Sequence, residues 1–118
     1  MLTFNLKKEW FEKIKRGEKT HEYREVKPYW TKRLMKNLYS YWIDNEDYFI
    51  AMCNGMSPYY KPINKEIVFC KGYPKKNDKE NRLIAIFKKI KIINGKETDL
   101  KINKPVFDIE FELIEEKK

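Results

Sequence analysis

Within G-E-K-T-H-E-Y-R, residues 17–24, Lys19, Thr20, His21, Glu22 and Arg24 are side chains with chemistry to offer. If this stretch is extended, successive side chains alternate between faces. Thr20, Glu22, Arg24 and Val26 then share one face, and Lys19, His21, Tyr23 and Glu25 share the other. Glu22 and Arg24 would stand ~7 Å apart along the backbone. A carboxylate at that distance can hold a planar guanidinium in one orientation, ready to stack on a base or grip a phosphate. Lys19, at the bend after Gly17, adds a mobile point charge. Thr20 beside Lys19 is a nucleophile with a lysine base, provided that burial frees the amine. The plainer reading of Glu22 and Arg24 is an exposed ion pair worth ~0–1 kcal/mol. His21 is expected on the strand surface rather than as an acid–base group.

A second basic and aromatic stretch follows, with Lys27, Tyr29, Trp30 and Arg33 around K-P-Y-W-T-K-R. Aromatic and basic residues interleaved in this way suit single-stranded nucleic acid, whose bases stack and whose phosphates meet charge. Trp30 has core spacing, so Tyr29 and Arg33 are the expected exposed members. Farther on, F-C-K-G-Y places Lys71 and Tyr73 at a strand end. There Tyr73 either stacks on a ligand or caps the core as a turn residue.

The elements that must position these groups are legible from periodicity. Leu2, Phe4 and Leu6 alternate with polar residues, a short strand. Trp10, Phe11 and Ile14 form one face of a helix that Gly17 stops, with Lys8, Glu12, Lys15 and Arg16 outside. Residues 19–26 read as a strand with no cleanly apolar face. Pro28 opens a second helix, with Trp30, Leu34 and Leu38 inward and Lys32, Arg33 and Lys36 toward water. Seven aromatics crowd residues 39–62, an irregular, aromatic-rich insertion in which D-Y-F-I-A-M-C is either a strand or a helical turn. E-I-V-F-C-K-G-Y is a strand, and K-K-N-D-K-E-N is a solvated turn. R-L-I-A-I-F-K-K-I-K-I-I-N-G is one bent strand or two. After Pro105, Phe107, Ile109, Phe111 and Leu113 alternate with Asp108, Glu110 and Glu112, a last strand with a clear period of two. Early helices and late strands predict an α+β domain with a mostly antiparallel sheet, and closure into a small barrel would remove its edges.

Composition narrows the function classes. The 118 residues are one domain's worth of chain. The formal net charge of +8 is uneven: net +6 over 1–38, −2 over 39–62, +7 over 63–105 and −3 over 106–118. Two basic segments folded together would offer a positive face to a polyanion, whereas lysines spread everywhere would not. Two cysteines and one histidine offer neither a disulfide framework nor a metal-ligand set, so no metal and no cofactor are expected. Charged residues by position 7 argue against a signal peptide, and no apolar run reaches ~18 residues. The expectation is a soluble cytoplasmic protein with no membrane partner.

G-E-K-T-H-E-Y-R resembles the signature of the ASCH domain, roughly G-x-K-x-x-E-x-R, with Lys19, Glu22 and Arg24 at its three fixed positions. The flanking W-F-E-K-I-K-R-G and E-V-K-P-Y-W-T-K-R-L, and F-C-K-G-Y at 69–73, are similar to segments of one branch of that family. The resemblance covers about 1–38 and 64–114. It implies a single PUA-like domain over 1–118: a small, mostly antiparallel β-barrel with two helices from the N-terminal half packed on it. It also implies binding of RNA, other nucleic acid or a nucleotide-like ligand in a cleft beside the signature. In that reading Lys19 neutralises phosphate, Glu22 orients Arg24, Arg24 grips phosphate or stacks on a base, and Lys27, Tyr29, Arg33, Lys71 and Tyr73 form the rim. One branch is an amidohydrolase of N4-acetylcytidine, and another member is linked to RNA cleavage. The alternative is therefore a small hydrolase of a modified nucleoside or of RNA, with Lys19 as base and Glu22 or Thr20 as its partner. Glu22 stands where the amidohydrolase branch has its catalytic threonine, and Lys71 stands where the related segment has an asparagine. A third reading is a protein-interaction module built on 39–62. The oligomeric state stays open.

Overall fold

The apolar alternation of Leu2, Phe4 and Leu6 forms β1 (Leu2–Leu6), which buries all three and leads directly into α1 (Lys8–Lys15). In a computed structural model that describes residues 2–39, 43–56, 61–75 and 77–114, the chain continues as β2 (His21–Glu25), α2 (Pro28–Tyr39), α3 (Glu46–Cys53), β3 (Glu66–Lys71), β4 (Arg82–Asn94), a 3-10 turn (Gly95–Glu97) and β5 (Pro105–Leu113). The strands form one curled five-stranded sheet, a half-barrel, in the order β1-β3-β4-β5-β2. Only β1 and β3 run parallel; the other pairs are antiparallel. The expected closed barrel is thus corrected to an open one, because β1 and β2 remain as the two edges.

The α1 helix buries Phe11 and Ile14 and carries Glu9 in its first turn and Lys13 and Lys15 in its last, in keeping with the helix dipole. It stops where expected. Gly17 takes a φ of 78°, a left-handed conformation that glycine adopts without steric cost. The Lys13 carbonyl then accepts from the N–H groups of both Glu18 and Lys19. That turn fixes the point at which Lys19 leaves the helix and β2 begins.

The long run 82–94 is a single strand with a bulge. Phe87 faces Phe111 and Lys89 faces Glu110, leaving Lys88 as the extra residue. The bulge helps a strand of 13 residues to curl. The aromatic insertion is corrected more substantially. Part of it, 40–42 and 57–60, lies outside the described residues, but D-Y-F-I-A-M-C belongs to a third helix, α3. The Asn45 side chain caps it by accepting from the Tyr48 N–H at 3.0 Å, and Glu46 and Asp47 occupy its first turn. The helix buries Phe49, Met52 and Cys53.

The core lies between the concave face of the sheet and the helices. Phe4, Phe11, Phe49, Phe69 and Phe107 are fully buried, as are Leu2, Ile14, Leu34, Leu38, Ile67 and Ile109. Their rings pack in a chain, with Phe4–Phe69 centroids at 5.7 Å, Phe69–Phe111 at 4.6 Å and Phe49–Phe107 at 6.0 Å. Each such side chain contributes about 1.5–3 kcal/mol through removal from water. Among the described residues no helix is long and apolar enough to cross a membrane.

Candidate functional site

The seam between the two edge strands gathers the signature residues. Glu22 and Arg24 lie opposite Ile109 and Phe107 of β5, two core residues, so their side chains face inward from β2. Glu22 is almost wholly buried, with a side-chain exposure of 7%. Its Oε2 accepts from Arg24 Nη2 at 3.2 Å, while its Oε1 accepts from the Tyr23 N–H at 3.1 Å and lies 3.5 Å from Lys19 Nζ. Lys19, half-buried, forms a second ion pair with Asp99 from the loop before β5. The result is one connected row of charges, Asp99–Lys19–Glu22–Arg24.

Arg24 ends that row over an aromatic pair. Phe4 of β1 and Trp30 of α2 stack at 5.4 Å, and the Arg24 guanidinium carbon lies 5.0 Å from the first ring and 4.8 Å from the second. A cation seated on aromatic faces gains ~0.5–2 kcal/mol depending on desolvation. One side chain from edge β2 thereby reaches the opposite edge β1 and the helix covering the gap. Arg33 works from the other side. Its Nη2 donates to the Thr3 carbonyl of β1 at 3.3 Å, and its guanidinium carbon lies 5.9 Å from both Tyr29 and Trp30. Arg33 is therefore half-buried rather than turned to water as its helical position suggested. The Nε atoms of Arg24 and Arg33 are buried and have no hydrogen-bond partner among the described residues. Tyr29 meets Trp30 edge-on at 5.0 Å and is 62% exposed.

The other expected site residues lie outside the charge row. Lys27 pairs with Glu25 at 3.0 Å, and Lys104 approaches the same carboxylate at 3.5 Å. The hydrogen bond from Lys27, more than any other influence, holds the Glu25 carboxyl below its ordinary range. Lys71 bonds Glu12 at 3.3 Å and lines a 560 Å³ hollow with Lys15, Lys79 and Arg82. Tyr73, beyond the left-handed Gly72, is almost fully exposed. Among the described residues no ion pair or ring contact joins Lys71 or Tyr73 to the Lys19–Arg24 row.

The outer face of β2 carries a second cluster, which sequence reasoning missed. Alternation sends Asp108 of β5 to the sheet's outer face, yet Asp108 is buried. Its Oδ1 lies 2.6 Å from His21 Nδ1, and Lys91 Nζ approaches its Oδ2 at 3.8 Å. His21 and Tyr23 lie nearly parallel, 6.3 Å apart. Together with Trp10, Lys13, Lys19 and Thr20 they line a hollow of 260 Å³. Burial, followed by the fields of Asp108, Asp99 and Glu22, pushes the Tyr23 phenol up from its ordinary value. Of the three signature residues only Lys19 opens onto this hollow; Glu22 and Arg24 turn to the seam. Asp99 and Asp108 are 80 and 87 positions from the residues they bind, so no local spacing announces either. Among the described residues no group of three or more His, Cys, Asp or Glu could hold a metal ion.

Compared with known proteins, the chain matches no protein-family model, no curated protein and no solved structure.

Proposed function

We propose that the protein is a PUA-like domain of the ASCH kind, acting in the cytoplasm, that binds single-stranded RNA or a nucleotide-like ligand at the seam between β1 and β2. One observation carries the reading: Arg24 and Arg33 gather round Trp30, each with a buried Nε that has no partner among the described residues, beside an exposed Tyr29. Two guanidiniums with spare donors suit a phosphate, and an exposed ring next to them suits a stacked base. Glu22 and Lys19 act behind this surface. Their ion pairs fix the orientation of Arg24, so that its donors are placed before a ligand arrives. Lys27 adds charge at the rim.

The test is a titration of short single-stranded and duplex RNA and DNA, read by fluorescence anisotropy. Three phosphate contacts, from Arg24, Arg33 and Lys27, give a log–log salt slope of about −2 for a single strand. Affinity should then fall by roughly 20-fold between 50 and 200 mM salt. Tyr29→Ala removes a stacking platform worth ~1–3 kcal/mol per base, and Arg24→Ala should weaken binding at least as much. No binding by the wild type, or binding by either variant equal to that of the wild type, would show the reading to be wrong.

A further inference from the structure

We propose that His21, oriented by Asp108, is the general base of a second site, the 260 Å³ hollow on the outer face of β2, and that this site hydrolyses small carboxylic esters carrying a planar aromatic ring. The proposal uses different residues from the nucleic-acid reading and stands or falls separately.

The starting point is a carboxylate in an unexpected place. Glu110 and Glu112, on the same face as Asp108, are solvent-accessible, with side chains 45% and 68% exposed, whereas Asp108 is at 6%. A buried carboxylate is costly unless it is paired, and its close partner is the imidazole Nδ1. That bond sets the tautomer, with the proton on Nδ1 and the lone pair on Nε2. The Nε2 atom has Glu110 Oε1 at 3.6 Å, beyond hydrogen-bond reach, and His21 lines the hollow. A base held by a buried carboxylate at the wall of a cavity is an arrangement that can activate water.

The remaining walls define the substrate. Trp10 and Tyr23 provide aromatic surface, and a planar ring would enter beside the ammonium groups of Lys13 and Lys19 that lie over them. The Tyr23 phenol keeps its proton across the neutral range, since burial and three carboxylates raise it, and so remains a donor for a developing oxyanion. Lys19, in contrast, is engaged by Asp99 and Glu22. Glu18 and Asp99 also line the hollow, and their carboxylates would repel the charge of a phosphoryl group. An ester fits this set better than an amide, because an alkoxide or phenoxide leaves with less help from an acid than an amine does.

In the reaction, the oxygen of a water molecule bonds to the acyl carbon while its proton passes to His21 Nε2. The carbonyl electrons move onto the oxygen that faces Tyr23. As the tetrahedral intermediate collapses, the bond from acyl carbon to leaving oxygen breaks, and His21 returns the proton to that oxygen. Asp108 keeps its hold on Nδ1 throughout, as a positioning residue.

The test is hydrolysis of 4-nitrophenyl acetate by the full chain, followed by release of the coloured 4-nitrophenolate over a series of pH values. His21→Gln should lower kcat on the order of 10²-fold, the span typical of a general base. Asp108→Asn should lower kcat with KM unchanged and alter the pH profile, whereas Glu110→Ala should leave the rate at wild-type level or above. His21 is the chain's one histidine. Diethyl pyrocarbonate therefore gives a readout on wild-type protein alone: activity should disappear with one equivalent of carbethoxyhistidine and return with hydroxylamine. Equal rates for wild type and His21→Gln, or full activity after carbethoxylation, would overturn the proposal.

Discussion

Replacing Glu22 with glutamine tests whether the charge row centred on this buried carboxylate ties the two edges of the half-barrel together. The substitution keeps the size of the side chain and one hydrogen-bond acceptor, but removes the charge that faces both Lys19 and Arg24. Lys19 retains Asp99. Arg24 loses its carboxylate and is left over the Phe4 and Trp30 rings. Breaking a buried pair by removing one partner costs about 3–5 kcal/mol. Because the Arg24 side chain is 22% exposed and keeps some water, the lower end applies, about 3 kcal/mol. For a domain of this size each kcal/mol moves the midpoint by about 4 °C, so Tm should fall by about 12 °C. The assay is urea and thermal unfolding followed by circular dichroism, with an unchanged urea slope confirming two-state comparison. A companion variant, Glu22→Leu with Arg24→Met, removes both charges and should be more stable than Glu22→Leu alone. A cost for Glu22→Gln below about 1 kcal/mol would refute the reasoning, since that is the behaviour of an exposed ion pair.

Two further outcomes follow from packing. Gly95→Ala should destabilise the fold by about 1–3 kcal/mol, because its Cβ would meet Val106 Cγ1 at 2.7 Å and Ile102 Cγ1 and O at 2.9 Å, and the backbone oxygen cannot move away cheaply; chemical denaturation measures it. Cys53, whose thiol burial pushes up to about 12, and Cys70, raised by burial against an opposing pull from Arg82, should both resist Ellman's reagent at pH 8 in native protein and react fully once it is unfolded.

Much of the fold was legible because its strands follow period two and its first helices follow period 3.6. Phe107, Ile109 and Phe111 alternate as written, and Gly17 and Pro28 punctuate as those residues do. The third helix was obscured because aromatic side chains suit strands as well as cores, and the Asn45 cap with its acidic first turn was the better local signal. Arg33 was misjudged because a helical wheel ranks polarity but does not foresee an edge-strand carbonyl within its reach. The grouping of Lys19, Glu22 and Arg24 was expected, since they lie within six residues. Asp99 and Asp108 were not, since the chain must close the whole sheet before either meets its partner.

Both borders of the sheet come from the first 25 residues, and both depend on strands made much later. Leu2 aligns with Ile67, and His21 aligns with Glu110. During synthesis these two strands therefore leave the ribosome with no mate for their backbones: β1 waits until β3 has emerged, and β2 until β5 has. Such distant pairing slows folding and lengthens the time for which two sticky strips stay open to neighbouring chains. Charged residues within β2, at Glu22, Arg24 and Glu25, discourage that strip from joining another copy while it waits.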